Sequence, residues 1–474
     1  MLRGFMTLLS LILPFMLSCT EPINGSGDID GETPAAGSWD PEDVETYKYS
    51  SSIVSSRKYL VTVNGVRQTV YPTDEGQICT FGCDEEVQVK VINVQGFDEA
   101  VLRPLSKNYT YEKLDAQTIV FTARPYDRIV AEFDSSEDKQ LFIFVNPKSE
   151  TAGKPSKDDP DVIYYEAGKD YDVKHIKVPS GKTLYLEGGA VLNAKVYMQD
   201  SENCKVKGFG IVNGMDNGVE VSGVRVQNCS NVEISGVTIL NNTGRVCFNA
   251  MSSNILIDNV KAIGEVNGDQ TDAIDIYSCQ DVVVKRCFAY GNDDTYCIKS
   301  WKWGYKGETK NVHFEDCIAR NFRGNSFEIG YETGCGVSNV SYKDIYSIHS
   351  SGGSDTPLRR GAVTIHDAAA GHIHDITYEN VYIEDPLEFG IDLRICKSAY
   401  ELGTGEEWGP GVVDNVKMKN VYMLKQAPKG NTIAGYDADH KIEIEFENLY
   451  IAGKKITSAE EGGFVCSYSD VKFK

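Results

Sequence analysis

Beyond residue 17 the sequence has no apolar run long enough to cross a bilayer, and no two of its cysteines stand at C-x-x-C spacing. The repetitive part of the chain also lacks any convincing helical stretch. These absences exclude a helical membrane protein, a zinc ribbon or dithiol redox site, and an α-helical repeat array. Basic residues are scarce too: 47 Lys and Arg stand against 69 Asp and Glu, a formal net charge of −22. That balance argues against nucleic acid as a partner, because phosphate recognition needs basic patches. It leaves a glycan open, although a polyanionic one would need a local basic groove against the global field.

The amino terminus is the one apolar exception. Met-Leu-Arg3 is followed by an apolar run from Gly4 to Leu17 and then Ser18-Cys19, which reads as a signal peptide over residues 1–18. Its end, Met16-Leu-Ser-Cys19, resembles the lipobox of bacterial lipoproteins. The resemblance implies that Cys19 carries lipid and that the mature protein is tethered outside the cytoplasm, meeting a membrane only through that anchor. An ordinary cleaved signal with an incidental cysteine is the alternative. Residues 19–46, rich in Gly, Ser, Pro, Asp and Glu, read as a flexible tether.

What the chain does have is a repeat. From residue 200 onward an Asn or Asp opens a short unit whose sixth following position is apolar, at Asn203, Asn231, Asn254, Asp281, Asn311, Asn339, Asp375 and Asn415, with Glu443 a weaker copy. The starts recur every roughly 23–40 residues, a solenoid period. Cys287 and Cys317 occupy slots held elsewhere by Phe, Val, Ile or Leu, so they read as buried small hydrophobes. Each unit holds short alternating strands, such as Val232-Glu-Ile-Ser and Val282-Val-Val-Lys, punctuated by Asn and Gly. Units this small cannot bury their own apolar faces and must stack. The fold expected over residues 160–474 is therefore all-β, a right-handed parallel β-helix, with Pro179–Leu192 as the coil that caps its first edge.

Ahead of it, residues 47–150 carry alternating runs at 59–63, 87–92, 118–122, 129–133 and 141–145, which predict a small antiparallel β-sandwich. Cys79 and Cys83 could form a local disulfide in an oxidising compartment.

Within the helix, alternation along each unit's second strand sorts side chains by face. Ile274, Ile276, Tyr296, Ile298, Phe327, Ile329, Val363, Ile365, Ile391 and Leu393 point inward. Asp275, Tyr277, Thr295, Cys297, Lys299, Ser326, Glu328, Thr364, His366, Asp392 and Arg394 then form an outward polar stripe, read as a groove facing solvent. Asp272, Asp293 and Asp294 sit at the starts of these strands on adjacent coils, with a turn or bulge re-aiming one of the consecutive pair. Like charges this close raise one another's proton affinity, which lets one carboxyl stay protonated while its neighbour is ionised. Coils stack about 4.8 Å apart, which brings such carboxylates within the roughly 5–9.5 Å separations of glycoside hydrolysis. Turn capping is the plain alternative for Asp275 and Asp316. Calcium is the rival for the cluster as a whole, although no metal or cofactor is expected.

Thr271-Asp272-Ala-Ile-Asp275, with Asp293-Asp294 beginning twenty-one residues after Asp272, resembles the signature of glycoside hydrolase family 28, the polygalacturonase-like β-helix enzymes. The likeness spans residues 160 to 460. It implies Asp293 as general acid, with Asp272 and Asp294 holding and activating water for inverting hydrolysis of a polysaccharide or oligosaccharide. Two positions depart from the family pattern. Asn325 stands where its Gly-His-Gly histidine is expected, and Thr364-Ile365-His366 stands in place of Arg-Ile-Lys, the motif that grips a uronate carboxylate. Lys299 and Arg394 are candidates to supply the missing charge. A β-sandwich before a β-helix is more loosely similar to family 49, the dextranases and isopullulanases. Asp275, Lys299, Trp301, Trp303, Asn325, Glu328, Tyr331, His366 and Arg394 complete the candidate substrate-binding set, with Tyr305 and Trp408 as further aromatic platforms. A polysaccharide lyase using Lys299 or Arg394 as base, and a glycan-binding β-helix without catalysis, are the rival readings. The long insertions at 351–360 and 398–412 suggest a groove walled at one end.

Overall fold

Asparagine at the corners sets the shape of the molecule. In the computed structural model, Asn203, Asn231, Asn254, Asp281, Asn311, Asn339, Asp375 and Asn415 all adopt φ between 49° and 57°. This left-handed conformation is one that Asn and Asp tolerate better than other residues with a Cβ. Their side chains stack from coil to coil: Asn231 donates to Asn203 at 3.1 Å, Asn254 to Asn231 at 2.6 Å, Asn311 to Asp281 and Asn339 to Asn311 at 2.8 Å. The nine sixth-position residues, from Phe209 to Leu449, are all buried, Cys287 and Cys317 among them.

The described residues are 39–134, 140–214, 222–241, 244–264, 271–301, 304–350, 359–397 and 409–474. The signal segment, Cys19 and most of the tether lie outside them, as do Trp303, Trp408 and nearly all of both long insertions.

From Val162 to Phe473, 28 strands form one continuous sheet, a right-handed parallel β-helix with three faces. The first face carries the asparagine ladder, on strands such as Ser230–Ser235, Ser253–Asp258 and Gln280–Lys285. The second carries Thr238–Asn241, Lys261–Gly264 and Phe288–Gly291. The third carries Cys247–Ala250, Ile274–Tyr277, Tyr296–Lys299, Phe327–Tyr331, Gly361–Asp367 and Phe389–Ile395. Inside, Val, Ile and Leu fill the stack, joined by aromatic columns: Phe314, Tyr342 and Tyr378 lie ring on ring at 4.6 Å, and Tyr296 on Phe327 at 5.0 Å. The helix begins at Val162, within the expected range, but its capping coil is not Pro179–Leu192. Val162–Tyr165 and the largely exposed Asp170–Lys177 already pair with Thr183–Leu186 and Val191–Gln199, so they cover the first edge instead.

Residues 45–146 form two stacked sheets. One is antiparallel, ordered Val66–Gln68, Tyr59–Val63, Val87–Asn93, Thr118–Ala123, Tyr111–Lys113. The other has six strands and is mixed rather than antiparallel, because Leu141–Asn146 runs parallel to Gln77–Gly82. Cys79 and Cys83 are free buried thiols. Cys79 lies in the Gly76–Gly82 strand, and four residues of extended chain separate Cα atoms by about 13 Å, too far for a disulfide.

The six-stranded sheet is buried on both sides. Its outer side chains Ile78, Val130, Phe142 and Phe144 pack against Leu240, Ile263, Phe288, Tyr290 and Ile318 on the second face of the helix. Phe288 lies 5.3 Å from Phe142 and 5.1 Å from Phe144 between ring centroids. Polar ties close the junction: Arg128 Nη2 meets Asp316 Oδ2 at 2.5 Å, and Lys261 Nζ donates to Asn146 Oδ1 at 2.6 Å. The sandwich thus covers the second face, while the first keeps its outward side chains at least partly exposed.

Candidate active site

The turn before each third-face strand brings the carboxylates together. Val246 N–H donates to Asp272 O at 2.8 Å, Ala273 N–H to Asp294 O at 2.9 Å, Thr295 N–H to Asn325 O at 2.7 Å and Ser326 N–H to Gly361 O at 3.1 Å. Arg245, Asp272, the Asp293-Asp294 pair, Asn325 and Arg360 therefore follow one another on five successive coils. The stack is tight at Gly324, where a Cβ would come within 2.3 Å of the Asp293 carbonyl carbon, so only glycine fits. The residues Asn292–Asp294 lie in a bend outside the strands, which is how two consecutive aspartates escape alternation. Asn321 pins that bend, donating from Nδ2 to Asp293 O at 2.5 Å and to Asn325 O at 3.1 Å.

The three aspartates differ in environment. Asp293 is half-buried, whereas Asp272 and Asp294 retain 4% and 8% of their surface. Asp294 Oδ1 accepts from Asn325 N–H at 3.1 Å and from Asn325 Nδ2 at 2.9 Å. Asp272 Oδ2 lies 3.5 Å from Arg245 Nε, which is also 3.1 Å from Asp275 Oδ2. Burial raises the proton affinity of all four acids, and their mutual repulsion adds to it. Asp272 moves well above the usual carboxylate range, driven by burial and then by Asp275. Asp275 rises to about 7 through burial, opposed by Arg245 and Lys299. Asp294 rises to about 7 through burial and the neighbouring Glu328, and Asp293 to about 6 through burial and Asp294, opposed by Lys299, Arg360 and Arg323. Carboxyls that titrate this close to neutrality can both give and take protons under ordinary conditions.

Asp294, Cys297 and Glu328 place one ligand atom each within 4.8 Å of one another, a spacing that would admit a cation. The Asn325 amide already bridges the two carboxylates, at 2.9 Å from Asp294 Oδ1 and 2.6 Å from Glu328 Oε2. A thiol is also a poor ligand for calcium, which takes oxygen donors.

Comparison with known proteins identifies the family. The profile of glycosyl hydrolases family 28 matches residues 165–464, which is more than half of the chain. The chain belongs to glycoside hydrolase family 28. A probable polygalacturonase of Vitis vinifera is 26% identical over 129 residues, 26% of this chain and 26% of its own, so the match spans about a quarter of that relative's length. Among solved structures, Dex49A from Penicillium minioluteum superposes with a TM-score of 0.60 at 15% identity, covering 90% of this chain and 97% of its own. It shares the fold along nearly the whole chain. The polygalacturonase from Erwinia carotovora ssp. carotovora gives 0.49 at 14% identity, over 65% and 90% of the two chains.

In this family 28 glycoside hydrolase the outward stripe is not the open groove that alternation suggested. Asp275, Tyr277, Thr295, Cys297, Ser326, Glu328, Thr364, His366 and Asp392 do leave the helix core, yet all are buried. They pack on one another and against Arg245, Arg359 and Tyr305. His366 cannot serve a sugar hydroxyl, since its Nδ1 lies 3.1 Å from Glu328 Oε1 and its Nε2 3.0 Å from Asp392 Oδ2. Glu328 is fully buried, and the Asn325 side chain is spent on Asp294, Glu328 and the Gly361 N–H. Asp275 sits in mid-strand and caps no turn, while Asp316 has φ 50° and anchors Arg128.

Lys299, Tyr331, Trp301 and Arg394 keep part of their surface. Lys299 is paired with Glu332 at 2.8 Å, and Tyr331 stacks on His366 at 4.6 Å. Trp301 leans on Tyr305, which joins Phe248 and Tyr277 in an aromatic cluster beside Arg245. Arg245, Arg323, Arg359 and Arg360 also stand at the site, outside the set that strand alternation singles out. Arg245 was open to discovery, because Thr243-Gly-Arg245 precedes a third-face strand as Gln270-Thr-Asp272 does.

Proposed function

We propose that this enzyme hydrolyses O-glycosidic bonds of a polysaccharide with inversion, Asp293 acting as general acid and Asp272 with Asp294 holding and activating the water. The observation that carries this reading is the graded burial of the three carboxyls. Asp293 is the most exposed of the three, in a bend outside the strands where a leaving oxygen can reach it. Asp272 and Asp294 lie deeper, Asp272 beside Arg245 and Asp294 bonded by Asn325, as suits groups that hold a water rather than meet the leaving group. In each turnover the proton on Asp293 passes to the departing sugar oxygen. The water attacks the anomeric carbon and gives its proton to the base pair, and solvent exchange then resets both sides.

The lyase alternative loses Lys299, one of its two candidate bases. Ion pairing with Glu332 and the carboxylates around it raises Lys299 well above its ordinary range despite burial, so it keeps its proton. Tethering outside the cytoplasm through Cys19 suits an enzyme whose substrate is a polymer too large to enter the cell, and it forms part of this proposal. The test is a reducing-end assay of the chain from residue 20 onward on pectic, rhamnogalacturonan, glucan and galactan panels, with the anomeric product followed by NMR. Inverted product from wild type and none from Asp293→Asn is the expected result. Retained configuration, an unsaturated product, or equal activity in both proteins overturns the reading.

A further inference from the structure

Behind Asp294 runs a chain of buried charge that no step above uses. Asn325 Nδ2 joins Asp294 Oδ1 to Glu328 Oε2, and its Oδ1 accepts the Gly361 N–H at 2.9 Å, so the amide has one orientation. Glu328 Oε1 meets His366 Nδ1 at 3.1 Å, and His366 Nε2 meets Asp392 Oδ2 at 3.0 Å. Asp392 is gripped by Arg359 through two bonds of 2.8 Å. Glu328, His366 and Asp392 have no exposed surface. They stand on three successive third-face strands, with Glu328 aligned to Thr364 and Thr364 to Asp392, so the chain follows the helix axis away from the aspartates.

Stability alone does not call for this arrangement. Apolar side chains of similar volume in place of a buried ion pair are often neutral or stabilising. Both ring nitrogens of His366 face carboxylates, a geometry satisfied only by the doubly protonated ring. Its two negative neighbours overcome the effect of burial and hold it charged up to about 9. Arg359 balances Asp392 and His366 balances Glu328, so the one charge transmitted to the reaction centre is the one that Glu328 turns toward Asn325 and Asp294.

We propose that Glu328 is a positioning residue for Asp294: kept ionised by His366, Asp392 and Arg359, it fixes the Asp294 carboxyl through Asn325 and governs when that carboxyl is ionised. The proposal rests on the assignment of Asp294 to water activation. Asp294 is faced by Asp272 and Asp275 from the preceding coil, by Asp293, Cys297 and Lys299 on its own coil, and by Asn325 and Glu328 from the next. Of these, Lys299 opposes Glu328 but is itself engaged by Glu332. Glu328 also meets the Asp294 carboxyl directly, and the neutral Asn325 adds a second tie without cancelling its charge.

The test reads the acid-side limb of kcat/KM against pH on the glycan that wild type hydrolyses. Glu328→Gln removes an anion and should move the limb down by about one pH unit or more, whereas His366→Gln removes a cation and should move it up. KM should stay within about twofold in both, since neither side chain reaches the substrate. A packing role would lower kcat without moving the limb in opposite directions, and an unmoved limb in the variants overturns the proposal. The two substitutions need not both fold, because either one gives the sign. Silence of wild type on every glycan would overturn the hydrolase reading instead. The link would then be read from urea midpoints at pH 8 in a cycle of Asp294→Asn and Glu328→Gln, where additive shifts overturn it and non-additive shifts support it.

Discussion

Arg245 Nε lies 3.1 Å from Asp275 Oδ2, and the same nitrogen faces Asp272 at 3.5 Å. One guanidinium on the preceding coil therefore opposes the mutual repulsion of two buried carboxylates. Arg245→Gln removes that opposition. Loss of a nearby cation raises a carboxylate's proton affinity, and a water-activating base must be ionised, so the acid-side limb of the rate profile should move to higher pH. Activity at pH 6 should fall about tenfold for each unit of displacement. A profile unchanged in shape and position would show that Arg245 does not sense the titrating pair.

Asp293→Asn should lower kcat by about 10²–10⁴-fold, the range supplied by a positioned general acid. The substitution keeps the side chain's shape at a half-buried bend, so the circular dichroism spectrum and melting temperature should match wild type. Retention of more than a tenth of the wild-type kcat would remove Asp293 from the acid role.

The junction between the sandwich and the helix can be probed at Arg128, which is 1% exposed and meets Asp316 Oδ2 at 2.5 Å and Asp316 O at 2.7 Å. Asp316→Asn leaves a guanidinium buried without its counter-charge and should cost about 3 kcal/mol. The check is the urea midpoint, and a loss below about 0.5 kcal/mol, the size of a typical surface change, would mean that the pair does not hold the junction.

Lys261 gives the junction a pH dependence. It is fully buried against Asn146 and the Gly236 carbonyl, and burial, with help from Arg128, lowers it to about 7. An unfolded lysine titrates near 10.4. Between these values the unfolded chain binds the extra proton, so this group's contribution to stability grows as pH rises from 7 and is at its least below 7. Lys261→Met carries no such dependence. The stability of wild type relative to that variant should therefore climb between pH 7 and 9 in paired urea titrations, and a flat difference would show that the amine is not depressed.

Much of the architecture is legible in the chain. Asn and Asp recur at corners because they tolerate φ near +55°, and an apolar sixth position follows because each coil must cover the next. The approach of Asp272 to Asp293 and Asp294 follows from that register alone. The burial of the outward stripe does not. Alternation tells which side of the strand Glu328 and His366 take, but not whether their neighbours will close over them. Whether a polar side chain meets solvent depends on ion pairs such as His366 with Asp392 and Asp392 with Arg359, whose members are 26 and 33 residues apart.

The docking of the sandwich has the same character. Leu141-Phe-Ile-Phe-Val is apolar at every position, a sign of burial on both sides, yet nothing in it names Phe288 as the partner. The sequence by itself determined the repeat, the stacking of coils and the meeting of three aspartates, because these depend on local backbone preference and on spacing along the chain. Tertiary structure alone decided which face the sandwich covers, that Arg245 sits over Asp272 and Asp275, and that Glu328 is held by a buried histidine. Those outcomes turn on burial and on charges brought together across coils, quantities that exist only once the coils are stacked.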